Sequence, residues 1–206
     1  MEIWKFVGGN VSIDFINTIG GRTDKKNQVS FISTIREDKL NNYIDLVDWA
    51  KKIGIIDQQE SKRFSAAEED PSKAQRIFNR AKLLRESLYR IFKNKIVGSV
   101  PPKDDLELLN IELKKARSYQ HFVYAAENFK WEFSREVEGM EMIIFKIVMS
   151  AAELLTSGKL DKLKQCPGEA CGWLFIDTSK NHSRLWCDMK DCGNFEKVRR
   201  FRKKLS

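Results

Sequence analysis

Four cysteines, the full complement of this 206-residue chain, fall in its last quarter as two pairs with equal gaps, Cys166-x4-Cys171 and Cys187-x4-Cys192. Pair, loop, pair is the spacing of thiolates that converge on one ion. Each pair closes a turn with both sulfurs on one side, and four sulfurs complete a tetrahedron. A gap of four lies at the wide end of structural-zinc spacing. The competing pattern is two disulfides. Residues 1–11 include Glu2, Trp4 and Lys5 and hold no apolar run long enough for a secretory leader, so the reading is a cytoplasmic protein with reduced thiols. The expectation is one structural Zn2+ on Cys166, Cys171, Cys187 and Cys192. Four thiolates leave no open position for water. With no P-loop, dinucleotide glycine motif or zinc-protease helix in the sequence, the expectation is that the chain is not an enzyme.

Charge is concentrated at the same end. From Lys159 onward there are twelve Lys or Arg against six Asp or Glu, so +6 of the total +8 lies in the last 48 residues. Most of it follows the fourth cysteine. The helix-prone stretch Asn194 to Leu205 carries Lys197, Arg199, Arg200, Arg202, Lys203 and Lys204 against one acid, Glu196. At 100° per residue, Phe195, Val198, Phe201 and Leu205 share one arc and the basic residues the other, except Arg202, which falls within the apolar arc. A basic amphipathic helix on a metal platform points to nucleic acid as a partner. The plainer reading is a solvated basic tail.

The length accommodates a helical core domain of about 155 to 160 residues and a small metal module, divided at 158/159. In the first forty residues, two Gly-Gly pairs bracket an apolar run that bears Asp14 and Asn17. It is either a short buried helix capped at Asn10 or Ser12, or a strand. Asn42 to Ile53 is helical, with Tyr43, Leu46, Val47 and Ala50 on one face, Trp49 on its flank and Gly54 as cap. Ile77, Ala81, Leu84, Leu88 and Ile91 mark a long helix from about Pro71 to Val97, ended by Gly98. Lys103 to Ser118 is another, with Leu106, Leu109 and Leu113 inward. Alternation in His121 to Phe133 indicates a β-hairpin turning at Glu127-Asn128. Met140 to Leu155 is apolar on most sides and reads as a central core helix, not a membrane span.

In the metal module, Cys166 to Cys171 forms a knuckle. Trp173 to Asp177 reads as a strand, Thr178 to Ser183 as a polar turn and Arg184 to Cys187 as the returning strand, before the basic helix. This is the order of a treble-clef-like zinc fold. About forty residues cannot bury enough apolar area to fold firmly alone, so metal would supply most of the stability. Trp173, Phe175 and Trp186 are its miniature core. The fold class is mainly α with a β-hairpin, a helical N-terminal domain followed by this module.

The stretch Cys166...Cys171-Gly-Trp-Leu-Phe-Ile-Asp-Thr-Ser179...Arg184-Leu-Trp-Cys187-Asp-Met-Lys-Asp-Cys192-Gly-Asn194...Lys197-Val-Arg-Arg200 resembles the CGNR zinc finger. Upstream, Gly8-Gly9, Asp14-Phe15, Asn17-Thr18, Arg22, Trp49-Ala50 and Ser150-Ala-Ala-Glu-Leu-Leu155 resemble the ABATE domain of bacterial proteins described as stress-induced transcription regulators. The resemblance implies the four cysteines as zinc ligands and DNA binding by the finger. One departure matters: Phe195 stands where the family motif has its final arginine, which removes any contact made through that arginine.

Three functional readings follow. The leading one is a DNA-binding transcription regulator, with a sensing or dimerising N-terminal domain and possible homodimers. Arg184, Lys197, Arg199, Arg200, Lys203 and Lys204 are its candidate nucleic-acid contacts, and Arg184 has an internal pair with Asp177 or Asp188 as its alternative. The second is a ligand-binding or protein-interaction module capped by the finger, with Val198, Phe201 and Trp173 packed on the upstream domain. The third is RNA binding through exposed tryptophans. Asp14, Asn17 and Arg22 are candidates to line a small-molecule effector pocket, against buried capping and turn roles. His182 reads as a turn residue because four thiolates already fill the tetrahedron.

Overall fold

The computed structural model describes residues 3–22, 37–66, 70–134, 139–168 and 171–205, with side chains of the last helix described to residue 202. The apolar run near the N-terminus is a helix, α1 (Val11–Ile16), capped by the Asn10 side chain, which accepts from the Ser12 amide. Ile13, Phe15 and Ile16 are fully buried between the two longest apolar helices, α4 (Pro71–Val97) and α6 (Met142–Leu155). Asp70 caps α4 and Pro71 occupies its first turn, where the missing amide costs nothing. Gly98 ends it with φ of 74°, a left-handed position that glycine fills without strain. All five apolar positions expected to face inward from α4 are buried.

Helix α2 (Tyr43–Lys52) packs on α4 through the anticipated face, and Trp49 is buried as well, tilted against Phe15 at 5.3 Å between rings. The flank position therefore belongs to the core. Helix α3 (Gln58–Ser65) was not anticipated. It opens with a capping box in which Asp57 accepts from the Glu60 amide and Glu60 accepts from the Asp57 amide. Helix α5 (Lys103–Ser118) lies against α4 and α6.

Three two-stranded antiparallel sheets complete the described fold. Strands β1 (Ile19–Gly20) and β2 (Glu37–Asp38) form one. The hairpin β3 (Gln120–Ala125) and β4 (Asn128–Phe133) turns at Ala126-Glu127, one residue earlier than expected. Both turn residues have positive φ, which matches the twist of the flanking strands. Phe133 reaches the core beside Phe145, while Phe122 and Trp131, and Tyr124 and Phe129, pair across the strands on an exposed face.

The third sheet, β5 (Leu163–Gln165) with β6 (Leu174–Ile176), flanks the knuckle, and this corrects the expected finger hairpin. Arg184 to Cys187 is not a strand. The physical reason is visible in β6: Leu174 and Ile176 enter the main core and Phe175 faces the cysteines, so the strand needs a partner already seated on the helical domain. Leu163 meets that condition because it is buried in the same core.

Candidate metal centre and its basic helix

The knuckle is set by backbone constraints before any ion is considered. The Cys166 amide donates to the Trp173 carbonyl at 2.8 Å and the Cys171 amide to the Gly168 carbonyl at 3.0 Å, which folds the first pair back on itself. A Cβ on Gly168 would sit 3.3 Å from the Cys192 sulfur and 3.5 Å from the Cys166 sulfur, so the turn passes close against the thiols. Of the second pair, Cys187 precedes and Cys192 sits on one wide helical turn, Met189–Gly193, which runs directly into α7 (Asn194–Leu205). The Asp188 side chain caps that turn by accepting from the Lys190 amide at 2.7 Å.

All four sulfurs lie within 4.8 Å of one another, with Cys171 to Cys187 at 3.5 Å and Cys187 to Cys192 at 3.6 Å. Zinc–thiolate bonds of about 2.3 Å place sulfurs at tetrahedral corners about 3.8 Å apart, so the cluster fits one ion. Its proton chemistry fits too. Hydrogen bonds from Cys171 and Cys187 hold the Cys166 thiol far below its ordinary value. The same contact with Cys166 pushes Cys171 and Cys187 up, and burial, with the Cys166 charge, raises Cys192. One thiolate forms readily and the next three resist, because each would add a like charge in a buried space. A divalent cation removes that resistance. The four cysteines are suited to one structural zinc.

Around the thiols, the segment after β6 is wrapped by charged side chains that face inward. Burial alone would raise the Asp177 carboxyl, but the Lys164 ammonium at 2.6 Å and the Ser179 hydroxyl and amide hold it well below the usual carboxylate range. Asp177 also accepts from the Arg184 amide at 3.0 Å. The Arg184 guanidinium donates to the carbonyls of Trp186 at 3.0 Å, Val7 at 3.1 Å and Cys187, and lies 4.4 Å over the Phe175 ring. Arg184 therefore binds neither Asp177 nor Asp188 through its side chain. It fastens the second ligand segment to the extended segment that holds Val7.

The trio Asp14, Asn17 and Arg22 is spent on separate protein partners. Asp14 accepts from the Gly8 amide at 2.8 Å, and burial pushes its carboxyl up to about 6 against amide hydrogen bonds from Gly8, Val7 and Gly9. Asn17 bonds both the amide and the carbonyl of Leu174, at 2.9 and 2.8 Å, so its side-chain amide completes the free edge of β6. Beside it the Ile176 amide donates to the Gly8 carbonyl at 2.9 Å. Arg22, 1% exposed, forms a bidentate pair with Glu86 at 2.7 and 2.9 Å and stacks 4.1 Å over Tyr89. Its backbone meets the finger: the Arg22 amide donates to the Cys171 carbonyl at 3.1 Å. Trp173 joins the same seam by donating to the Ile19 carbonyl at 2.7 Å.

Sequence reasoning did not find the polar residues under that seam. Arg85, also 1% exposed, binds Asp38 through both terminal nitrogens at 2.7 and 2.9 Å and reaches Thr18 at 2.8 Å. Gln165 donates to the Gly172 carbonyl at 3.1 Å and to the Tyr89 hydroxyl at 3.3 Å. These partners lie 7 to 76 residues apart in sequence and have no shared spacing.

Helix α7 leaves this platform with its main contact to the turn that precedes it. Lys197, Arg199, Arg200 and Arg202 are exposed, and Glu196 pairs with Arg199 and Arg200 at 3.4 Å each. The side chains of Lys203 and Lys204 lie outside the described residues. Phe195, Val198 and Phe201 are 66%, 50% and 64% exposed. Trp173 thus packs on the upstream domain as the capping reading expects, whereas Val198 and Phe201 do not.

A family model described as "Putative stress-induced transcription regulator", the ABATE domain, matches residues 9–158, and the CGNR zinc finger model matches residues 162–204. The chain belongs to the ABATE family. Its ABATE domain and CGNR finger are joined across the seam just described, with β6 of the finger buried in the core of the ABATE domain. No curated protein matches the chain. No helix among the described residues is long and apolar enough to cross a membrane.

Proposed function

We propose that this ABATE protein is a cytoplasmic DNA-binding transcription regulator in which the zinc-bound CGNR finger carries α7 to duplex DNA and the ABATE domain supplies sensing or self-association. The observation that carries the reading is the basic surface of α7, on which Lys197, Arg199, Arg200 and Arg202 are all exposed. Lys197, Arg199, Arg200, Lys203 and Lys204 serve as phosphate contacts. Arg184 serves the site by shaping the second ligand segment. Affinity should fall with salt at a log–log slope of about −0.9 per phosphate neutralised. Charge reversal at Arg199, Arg200 and Lys203 should abolish duplex binding and leave zinc content unchanged; a triple variant that shifts DNA like the parent sinks the assignment.

The exposed aromatic face of the β3–β4 hairpin favours a second reading, stacking of single-stranded RNA bases. Lys130 is the hairpin's only Lys or Arg and is paired with Glu132 at 2.5 Å, so further cations for phosphates would come from Arg63 and Lys146, which line a pocket with Trp131. Competition between single-stranded RNA and duplex DNA at fixed salt separates the two.

A further inference from the structure

The apolar arc of α7 is unusual for a helix that faces water. Phe195 and Phe201 are each about two-thirds exposed and Val198 half, which, with about 200 Å² per aromatic side chain, leaves on the order of 300 Å² of contiguous apolar surface. Patches of that size on a soluble domain mark contact surfaces. The cationic flanks narrow the choice of partner. With Phe195 at 0°, Val198 falls at about 300° and Phe201 at about 240°, and the arc is bordered by Lys197 at about 200° and Arg199 at about 40°. Arg202, at about 340°, lies within it. A second copy of this helix would bring Lys197, Arg199 and Arg202 against the same three cations across the contact, with no acid in the arc to offset them. Duplex DNA offers the complementary arrangement: phosphates along both walls of the major groove and, on its floor, the C5-methyl groups of thymine. A helix about 10 to 12 Å across fits a groove about 12 Å wide.

We propose that α7 reads thymine: it lies in the major groove with Phe195, Val198 and Phe201 against thymine C5-methyl groups, while Lys197 and Arg199 reach the phosphates of opposite strands. This inference rests on the proposed DNA-binding role and gives it a base preference. It also assigns a task to Phe195, the position at which the family motif carries arginine. Arg202 sits within the same arc, where its fork can bind a guanine adjoining the thymines.

The test uses full-length zinc-loaded protein and two duplexes of identical sequence, rich in thymine, one with every thymine replaced by deoxyuridine. That replacement deletes only the methyl groups. Each buried methyl contributes about 4-fold, so loss of two or three contacts predicts roughly 15- to 60-fold weaker binding to the uracil duplex. The Phe195→Ser/Val198→Ser/Phe201→Ser variant changes exposed positions only; it should bind both duplexes within about twofold of one another and retain its zinc. Equal affinity of the parent for both duplexes overturns the inference and leaves the DNA-binding role standing. A uracil penalty that persists in the variant also overturns it, as does a parent dimer in sedimentation that the variant converts to monomer, because the stripe would then be covered by a second copy. Failure to bind either duplex above a generic basic protein refutes the DNA-binding role itself.

Discussion

Replacing Gly172 with alanine should loosen the finger from the ABATE domain far more than the same change at Gly54. Gly172 has φ of 68°, and a Cβ there would lie 1.8 Å from the Arg22 carbonyl oxygen and 2.4 Å from its carbon. The two backbones must separate by at least 1.2 Å to reach even 3.0 Å. That motion breaks the Arg22 amide bond to the Cys171 carbonyl at 3.1 Å and the Gln165 bond to the Arg22 carbonyl at 3.5 Å. The left-handed conformation costs about 1 to 2 kcal/mol for alanine, and two hydrogen bonds lost from buried surroundings add about 1 to 3 kcal/mol, so about 4 kcal/mol in total. Gly54 is the control. Its φ of 83° imposes the same conformational cost, but a Cβ meets nothing within 4 Å. For a chain of this size, about 4 kcal/mol lowers Tm by roughly 8 to 16 °C, against about 2 to 8 °C for Gly54→Ala. Thermal unfolding of the zinc-loaded proteins, followed by circular dichroism, gives the comparison. Equal shifts would mean that the close approach of Gly172 to Arg22 does not exist in solution.

Two further outcomes test the same seam. Asn17→Ala leaves the buried Leu174 amide and carbonyl without partners and should destabilise the protein by about 2 to 4 kcal/mol in urea unfolding, whereas a loss below 1 kcal/mol would show that water reaches that edge of β6. Asp14 has a carboxyl raised from 3.8 to about 6 by burial, so the folded state holds its proton more tightly than the unfolded chain. Its contribution is full below about pH 4 and is lost as pH rises to about 6, by on the order of 3 kcal/mol. Proton competition for zinc affects parent and Asp14→Asn alike, so the difference between their stability–pH curves should slope over pH 4 to 6. Parallel curves would refute the assignment.

The helical elements were legible because their apolar residues repeat over many turns: α4 and α5 run where periodicity places them, and α7 follows its cysteine as expected. α3 has one large buried apolar residue, Phe64, and so no period to read; its Asp57-x-x-Glu60 box was the signal available. The four ligands were legible from spacing alone. The finger's strand partner was not, because Leu163 looks like part of a linker until the ABATE core is there to bury it. The polar trio was legible as a group with two readings, pocket lining or buried capping and turn roles: a lone amide side chain that replaces a strand, as Asn17 does, leaves the same trace in sequence as a ligand-binding asparagine.

Strand β6 has a consequence for the order of assembly on the ribosome. It lies between α1, which is made well before it, and the second cysteine pair, which follows it. Until residues 163–176 emerge, α1 and α4 lack the strands that cover them, and until Cys187 and Cys192 follow, the cluster around Phe175 on the opposite face is incomplete. A nascent chain therefore keeps part of its hydrophobic interior open until these strands are made, and an ion held by all four cysteines would tie the last of them in place.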